Sequence, residues 1–316
     1  MDFLCSISYP DIAILTEVAP NHIEQFGTLE RYRNEKLKIL KNACHAIVHE
    51  SLRAWVDRDA VYYGKGAVDH IDMSHVEVGL SGTTSQIHVW DKSYTIHTGL
   101  FGDFHILNLL PLYGIARIFG YNTAIIESYA RSMTVESGRG RTLRGVQSSM
   151  IIDATYNGGY LAIREGIRSL LPLAQDKNII IALGDMRELG NLTESTHAIL
   201  ADDIVQLCAP YAGNIKIFLV GPMMGRYVFP RIESIFSVEH SLSSRDIGKK
   251  IYDSISHNKD GSTIVYLKGS QNTIFLEDAI PFFLQNPADT SLLCRQSDKW
   301  KKIKSIFFEK EIQKIA

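Results

Sequence analysis

Hydrophobic and polar positions fall into two repeating patterns along this chain. Pro10 opens an apolar, β-branched run, Asp11 to Thr16, with polar residues only at its exit, as in a buried parallel strand. A loop, Glu17 to Asn21, delivers His22, and Thr28 then predicts the N-cap of a helix. On that helix Leu29, Tyr32, Ile39 and Leu40 share a stripe with Lys36 in its middle, while Glu30, Arg31, Arg33, Glu35 and Lys38 mostly lie elsewhere. Ala46–His49 and Val61–Tyr63 read as short strands joined by a helical connection over Ser51–Arg58. From His75 to Thr98 the period drops to two, a β-meander of His75–Gly79, Ser85–Trp90 and Tyr94–His97, with His88 and His97 on its solvent face. Gly99 to Gly120 predicts one apolar helix ending on Gly120, with Asn108 in its first part and Pro111 at a first turn or a kink.

The second half alternates strands with helices. Strands are predicted at Met150–Asp153, Asn178–Leu183, Lys216–Val220 and Ser262–Leu267, and helices at Tyr160–Leu171, Glu194–Leu207, Ser244–Ser254 and Thr273–Phe283. Such alternation implies a mainly parallel sheet covered on both faces. Each strand runs into a polar or glycine-rich segment: Asp153 to Asn157, Gly184 to Gly190, Gly221-Pro222 and Lys268 to Ser270. Four such loops at one sheet edge mark a site, because open α/β sheets collect ligands at the carboxyl ends of their strands. Between the halves lies Ser137-Gly-Arg-Gly-Arg-Thr142, which has no apolar periodicity and sets the expected domain boundary. The expected division is 1–136, 137–288 and a helical extension, 289–316, whose Trp300–Ile315 part is amphipathic and reads as a packed terminal helix.

Composition changes this picture little. With 45% hydrophobic and 22% charged residues and a net charge of −2, the 316 residues suit two globular cores and argue against a dedicated nucleic-acid or anionic-membrane binder. The four cysteines contain no CxxC pair, so neither a disulfide framework nor a zinc knuckle is indicated, and a reducing cytoplasm fits best. No run approaches the length of a membrane span, and the opening MDFLCSISYP is no signal peptide. A domain rarely begins so close to what reads as a central strand, which suggests that the chain starts partway through a larger architecture.

Several residues are candidates for chemistry. His22 follows a strand exit, where a ligand or a loop histidine capping a carbonyl are both expected. Lys36, directed inward, would lose hydration and become available as a neutral amine, for attack or for carbamylation by carbon dioxide; the bland alternative is a lysine that snorkels along the apolar face. Asn108 could read a base through its amide or bond neighbouring backbone. The arginines of the 137–142 segment suit phosphate, or an exposed linker.

Taken together and in order, PDIAILTEVAPNHIEQFGTLERYRNEK, the Gly102–Gly120 segment with Asn108, SGRGR, IIDATYN, LGDMRELG followed by His197, and LKGS resemble the Mur ligase family of ATP-dependent amide ligases. The likeness is strongest to its branch that joins D-alanyl-D-alanine to a UDP-muramoyl tripeptide, and LGDMRELG and DATYN favour that branch over the related folylpolyglutamate synthases. The resemblance implies an α/β protein: part of a Mur ligase central domain, a mixed sheet with helices and a β-meander, followed by a Rossmann-like C-terminal domain. It implies that His22 ligates magnesium and that Lys36, fourteen positions later, is carbamylated and meets a second magnesium. It further implies that Asn108 contacts adenine, Arg139 the phosphates, and Asp153 and Tyr156 the nucleotide, with Asn157 supporting that loop and Lys268 and Ser270 near the incoming peptide. The implied reaction uses ATP and Mg2+ to form an acyl phosphate on a UDP-muramoyl peptide, which a dipeptide amine then attacks. The family's Gly-rich GK[ST] loop has no counterpart in these residues, Ala154 replaces a commonly acidic position, and Tyr160 and Gln271 stand where proline and arginine are common. The expectation is therefore a truncated or split ligase that needs a separate N-terminal part, or else a non-catalytic nucleotide- or muropeptide-binding protein derived from one.

Overall fold

The computed structural model describes residues 1–20, 23–257, 263–270 and 274–315, and divides into two compact units, Met1–Thr134 and Val135–Ala316. Each is built on a six-stranded sheet among the described residues.

In the first unit the strands are β1 (Ile12–Leu15), β2 (His45–His49), β3 (Val61–Gly64), β4 (Ile71–Gly79), β5 (Gly82–Val89) and β6 (Lys92–Thr98), in that spatial order. β1 to β4 pair in parallel, and β4–β5–β6 form the antiparallel meander that the period of two predicts. Alternation along β2 sends Ile47 to one core, with Tyr63, Ile71, Ile87, Ile96, Leu110 and Tyr113, and Ala46 and Val48 to the other, with Ala13, Leu15, Leu40 and Tyr62.

The structure corrects several sequence expectations here. A short helix, Asp2–Ile7, precedes β1, and the connection after β2 is a 3-10 helix, Glu50–Trp55. The single helix expected across Gly99–Gly120 is two, Asp103–Leu107 and Leu110–Phe119, broken at Asn108-Leu109. Pro111 explains the break: it lacks a backbone N–H, so it sits in the first turn of the second helix, where no partner is required. Gly120 ends that helix in the left-handed region at φ 70°. A further helix, Ala124–Ser132, buries Ile126 and Ala130.

The second unit carries β7 (Arg141–Arg144), β8 (Met150–Ala154), β9 (Asn178–Gly184), β10 (Ile215–Val220), β11 (Ser237–Ser241) and β12 (Thr263–Lys268), ordered β11-β10-β9-β12-β8-β7. All pairs are parallel except the β7 edge. The chain steps from β8 over to β9, β10 and β11, then returns to insert β12 between β9 and β8. The segment after β12 is thereby flanked by the loops that leave β8 and β9, a switch point of the kind at which α/β sheets bind ligands.

Helices Tyr160–Leu170, Thr193–Cys208 and Ser244–His257 follow the expected positions. The helix expected at Thr273–Phe283 is instead a 3-10 turn, Leu276–Phe282, entered through Phe275 at φ 46°; residues 271–273 lie outside the described residues. The extension begins with a 3-10 turn, Pro287–Leu292, and only Asp298–Ile315 is α-helical. Its Trp300, Phe307 and Phe308 surround Phe275 at centroid distances of 5.2–6.4 Å, so it packs on the second unit's own core.

Candidate functional site

In the first unit Thr28 caps its helix, its Oγ1 accepting from the Arg31 N–H at 3.1 Å, and thereby sets where Leu29–Leu37 begins. Lys36 on that helix is half-buried rather than directed into the core, with Nζ 5.3 Å from the centroid of the buried Tyr32 ring. Tyr32 and Leu40 take the core positions, and a long lysine stem beside them can cover apolar surface while its amine stays near water. After Leu37 the helix tightens into a 3-10 turn, Lys38–Leu40. His22 lies outside the described residues. Asn108 is exposed at the C-cap of Asp103–Leu107.

The second unit gathers its candidates at the carboxyl edge of β8, β12 and β9. Asp153, at the end of β8, is fully buried; its Oδ1 accepts from the Thr155 N–H at 3.1 Å and the Thr155 hydroxyl at 2.6 Å, while Oδ2 has no partner. Burial raises its pKa above the ordinary carboxylate value, the Thr155 bonds opposing this. A buried acceptor without a donor is costly, and a ligand hydroxyl or amide is the group that would satisfy it.

The chain then turns so that the Tyr156 N–H donates to the Gly138 carbonyl at 3.0 Å, and the Gly140 N–H donates to the Asp153 carbonyl at 2.7 Å. Gly138, at φ 76°, admits no side chain, because a Cβ there would stand 2.8 Å from the Tyr156 nitrogen and 3.1 Å from Cys294 Sγ. The arginine-rich segment is therefore a turn clamped to the β8 loop, and it places the exposed Arg139 guanidinium 4.4 Å above the Tyr156 ring.

Lys268, at the end of β12, donates to the Asn157 carbonyl at 3.0 Å, and Asn157 Oδ1 accepts from the Gly158 N–H at 2.9 Å. Desolvation, aided by the Arg139 charge, brings the Lys268 amine down to about 8. Ser270 is buried and stitches three segments: its hydroxyl donates to the Gly158 carbonyl at 3.2 Å and accepts from the Arg187 N–H at 3.1 Å, and its own N–H donates to the Asp185 carbonyl at 3.3 Å. Its hydroxyl proton is thus already committed to the loops.

The structure brings Arg139, Asp153, Tyr156, Asn157, Lys268 and Ser270 together. It also adds residues to which sequence reasoning gave no role. Asp185 receives the N–H groups of Met224 at 2.8 Å and Met223 at 3.2 Å, fixing the loop after β10. His197 is buried with Nδ1 donating to the Thr193 carbonyl at 2.7 Å and Nε2 accepting from the Met186 N–H at 3.2 Å, and desolvation lowers its pKa, so it is neutral and structural. Arg295 was missed altogether; it donates to the Tyr156 carbonyl at 2.6 Å. A cavity of about 550 Å³ opens at the opposite, amino-terminal edge of β9, β10 and β11, but its lysines are already paired, Lys216 with Glu239 and Lys250 with Glu239 and Asp246.

Residues 2–116 match the family model of the Mur ligase middle domain. The match falls within the first unit, which is similar to a Mur ligase middle domain over those residues. Over most of its length the chain is also similar to known Mur ligases. The UDP-N-acetylmuramoyl-tripeptide--D-alanyl-D-alanine ligase of Bacillus subtilis is 19% identical over 91% of this chain and 62% of its own length; that of Borreliella burgdorferi is 27% identical over 70% and 48%. The chain thus spans about half to three-fifths of the length of these curated relatives. Among solved structures, MurF of Acinetobacter baumannii superposes with a TM-score of 0.75 at 18% identity, covering 92% of this chain and 61% of that one. MurF ligase of Thermotoga maritima, solved in complex with ADP, gives 0.67 at 22% identity, covering 96% and 64%. Both units accordingly have Mur ligase folds, central and C-terminal, on mixed sheets.

Among the described residues no three His, Cys, Asp or Glu side chains group to hold a metal, and no helix is long and apolar enough to cross a membrane.

Proposed function

We propose that this chain is the nucleotide-handling part of a cytoplasmic, ADP-forming amide ligase of peptidoglycan precursor synthesis, working through an acyl phosphate. The observation that carries the proposal is the β8–β12 loop cluster, where the unpartnered Oδ2 of buried Asp153 lies on a loop shared with Tyr156 and is flanked by Arg139 and Lys268. Asp153 accepts a hydroxyl of the nucleotide, Arg139 balances phosphate charge, and Lys268, with an amine near 8, meets anionic substrate at neutral pH. Asn108, exposed at its helix break, is available to adenine through an amide that both donates and accepts. Ser270 acts on substrate indirectly, by fixing the Lys268 and Asn157 segments.

Magnesium would offset the negative charge of ATP and of the transferring phosphoryl group, held by His22 and by Lys36. The half-exposed Lys36 amine is accessible to carbon dioxide, and a carbamate there supplies an anionic oxygen where an ammonium would repel the cation. The substrates are a UDP-muramoyl peptide carboxylate and a dipeptide amine. A GK[ST] phosphate loop, absent from these 316 residues, would come from a separate N-terminal ligase part or from sequence outside them.

The second reading is a nucleotide- or muropeptide-binding protein without catalysis, which the same loop cluster would serve. Titration calorimetry with Mg·ADP and with a UDP-muramoyl tripeptide tests the proposal. Binding of Mg·ADP that is lost in Asp153→Asn supports it, and binding indifferent to Asp153 overturns the site assignment.

A further inference from the structure

Cys294 to Lys304, which follow the region bearing every motif above, contribute two buried cations, of which Arg295 reaches back into the site. Arg295 is 4% exposed at its side chain, and its Nη1 donates to Glu277 Oε2 at 2.8 Å, with Glu277 fully buried. Its Nη2 donates to the Tyr156 carbonyl at 2.6 Å, and its guanidinium lies 5.4 Å from the Tyr156 ring centroid. Lys304, also 5% exposed, pairs with Glu277 Oε1 at 2.9 Å and Asp278 Oδ1 at 2.6 Å. Arg295 sits at φ 56°, a left-handed backbone that a non-glycine residue rarely holds unless its surroundings enforce it.

We infer that Arg295 is a positioning residue for the nucleotide-facing loop: its guanidinium fork ties the Tyr156 carbonyl to the buried Glu277 carboxylate, and so fixes the ring on which Arg139 rests. The fork is what the task needs. Two N–H groups on one rigid plane reach two acceptors, whereas a lysine ammonium is a point charge on a flexible stem. Glu277 is in turn held by Lys304, so the terminal helix anchors the fork from behind. Tyr156 is held at three points: its N–H on Gly138, its carbonyl on Arg295, and its ring beneath Arg139.

This inference rests on the nucleotide reading for its consequence, but not for its geometry, and the test separates the two. Arg295→Lys keeps a cation beside Glu277 and gives up the Tyr156 bond. Glu277→Gln with Arg295→Met removes the buried charge pair together, so that no lone charge is left inside. Both are compared with the full chain by amide hydrogen exchange over residues 153–158 and by Mg·ADP titration. The expected result is faster exchange at Tyr156 and Asn157 in both variants, with Mg·ADP affinity about ten-fold weaker, the scale of one lost charge-assisted hydrogen bond. Free ethylguanidinium should partly restore both signals in Arg295→Ala and leave Arg295→Lys unchanged. Unchanged exchange at Tyr156 in a folded Arg295→Lys overturns the inference. Faster exchange in a protein whose wild type binds no Mg·ADP, either alone or with a polypeptide bearing the phosphate loop, leaves the positioning role in place and overturns the nucleotide reading instead.

Discussion

Asp153 is a carboxylate held out of water with one oxygen unsatisfied, and its pKa is raised by that burial. Because the folded state keeps its proton to higher pH than the unfolded chain, folding stability is greater at acid pH and falls as pH rises through the raised value. Buried His105 and His197, whose pKa values desolvation lowers, contribute in the opposite sense, so the test is a difference. In urea unfolding followed from acid toward neutral pH, Asp153→Asn should lose a falling contribution and show a more positive slope than the unsubstituted protein, with that of buried Asp185 retained. A slope identical in the variant would place the titration elsewhere. Lys268 makes a second residue-level prediction: competitive acylation of its amine should follow a midpoint near 8, far below the ordinary lysine range. The loops bearing Asp153, Tyr156 and Lys268 were legible in the sequence because each begins where an apolar run gives way to a polar one, while the three residues themselves were named only through the family resemblance. Arg295 was not, because its partners are 18 and 139 residues distant and nothing in the local pattern announces a left-handed arginine. Lys36 fell in between: its stripe was visible, but its half-buried place beside the Tyr32 ring was not.

At the scale of elements, one close approach controls the site of the second unit, and one cap sets a helix of the first. A Cβ on Gly158 would stand 2.6 Å from the Gly269 carbonyl carbon, so Gly158→Ala must push the β8 and β12 loops apart. It should cost about 1–3 kcal/mol of stability in denaturant unfolding, and more in Mg·ADP affinity than a surface substitution such as Gly213→Ala, where the added methyl meets open space. Thr28→Ala removes the cap that sets the start of the Lys36 helix and should cost about 1 kcal/mol by the same measurement. Periodicity located the elements whose patterns are strong, the meander and the four central parallel strands. It passed over β7 and β11, RTLR and SVEHS, because edge strands bury little and need no apolar run. It also merged the two helices around Asn108, since both are apolar and only the missing N–H of Pro111 separates them.

At the scale of the molecule, two compact units carry the two halves of the chemistry proposed here: Lys36 and Asn108 on the first, the Asp153–Tyr156 loop with Arg139 and Lys268 on the second. Neither half contains a Gly-rich GK[ST] loop, and without such backbone amides the β and γ phosphates of ATP lack a firm hold. The central claim is therefore that these residues turn over ATP only when a phosphate loop is supplied. The direct measurement is ADP release by the 316-residue chain, with Mg2+, ATP, a UDP-muramoyl tripeptide and D-alanyl-D-alanine, in the presence and absence of a polypeptide bearing that loop from a relative. The account predicts substrate-dependent ADP release in the mixture that disappears with Asp153→Asn. Contradiction would be a mixture that binds both substrates yet releases no ADP, or release that is indifferent to Asp153.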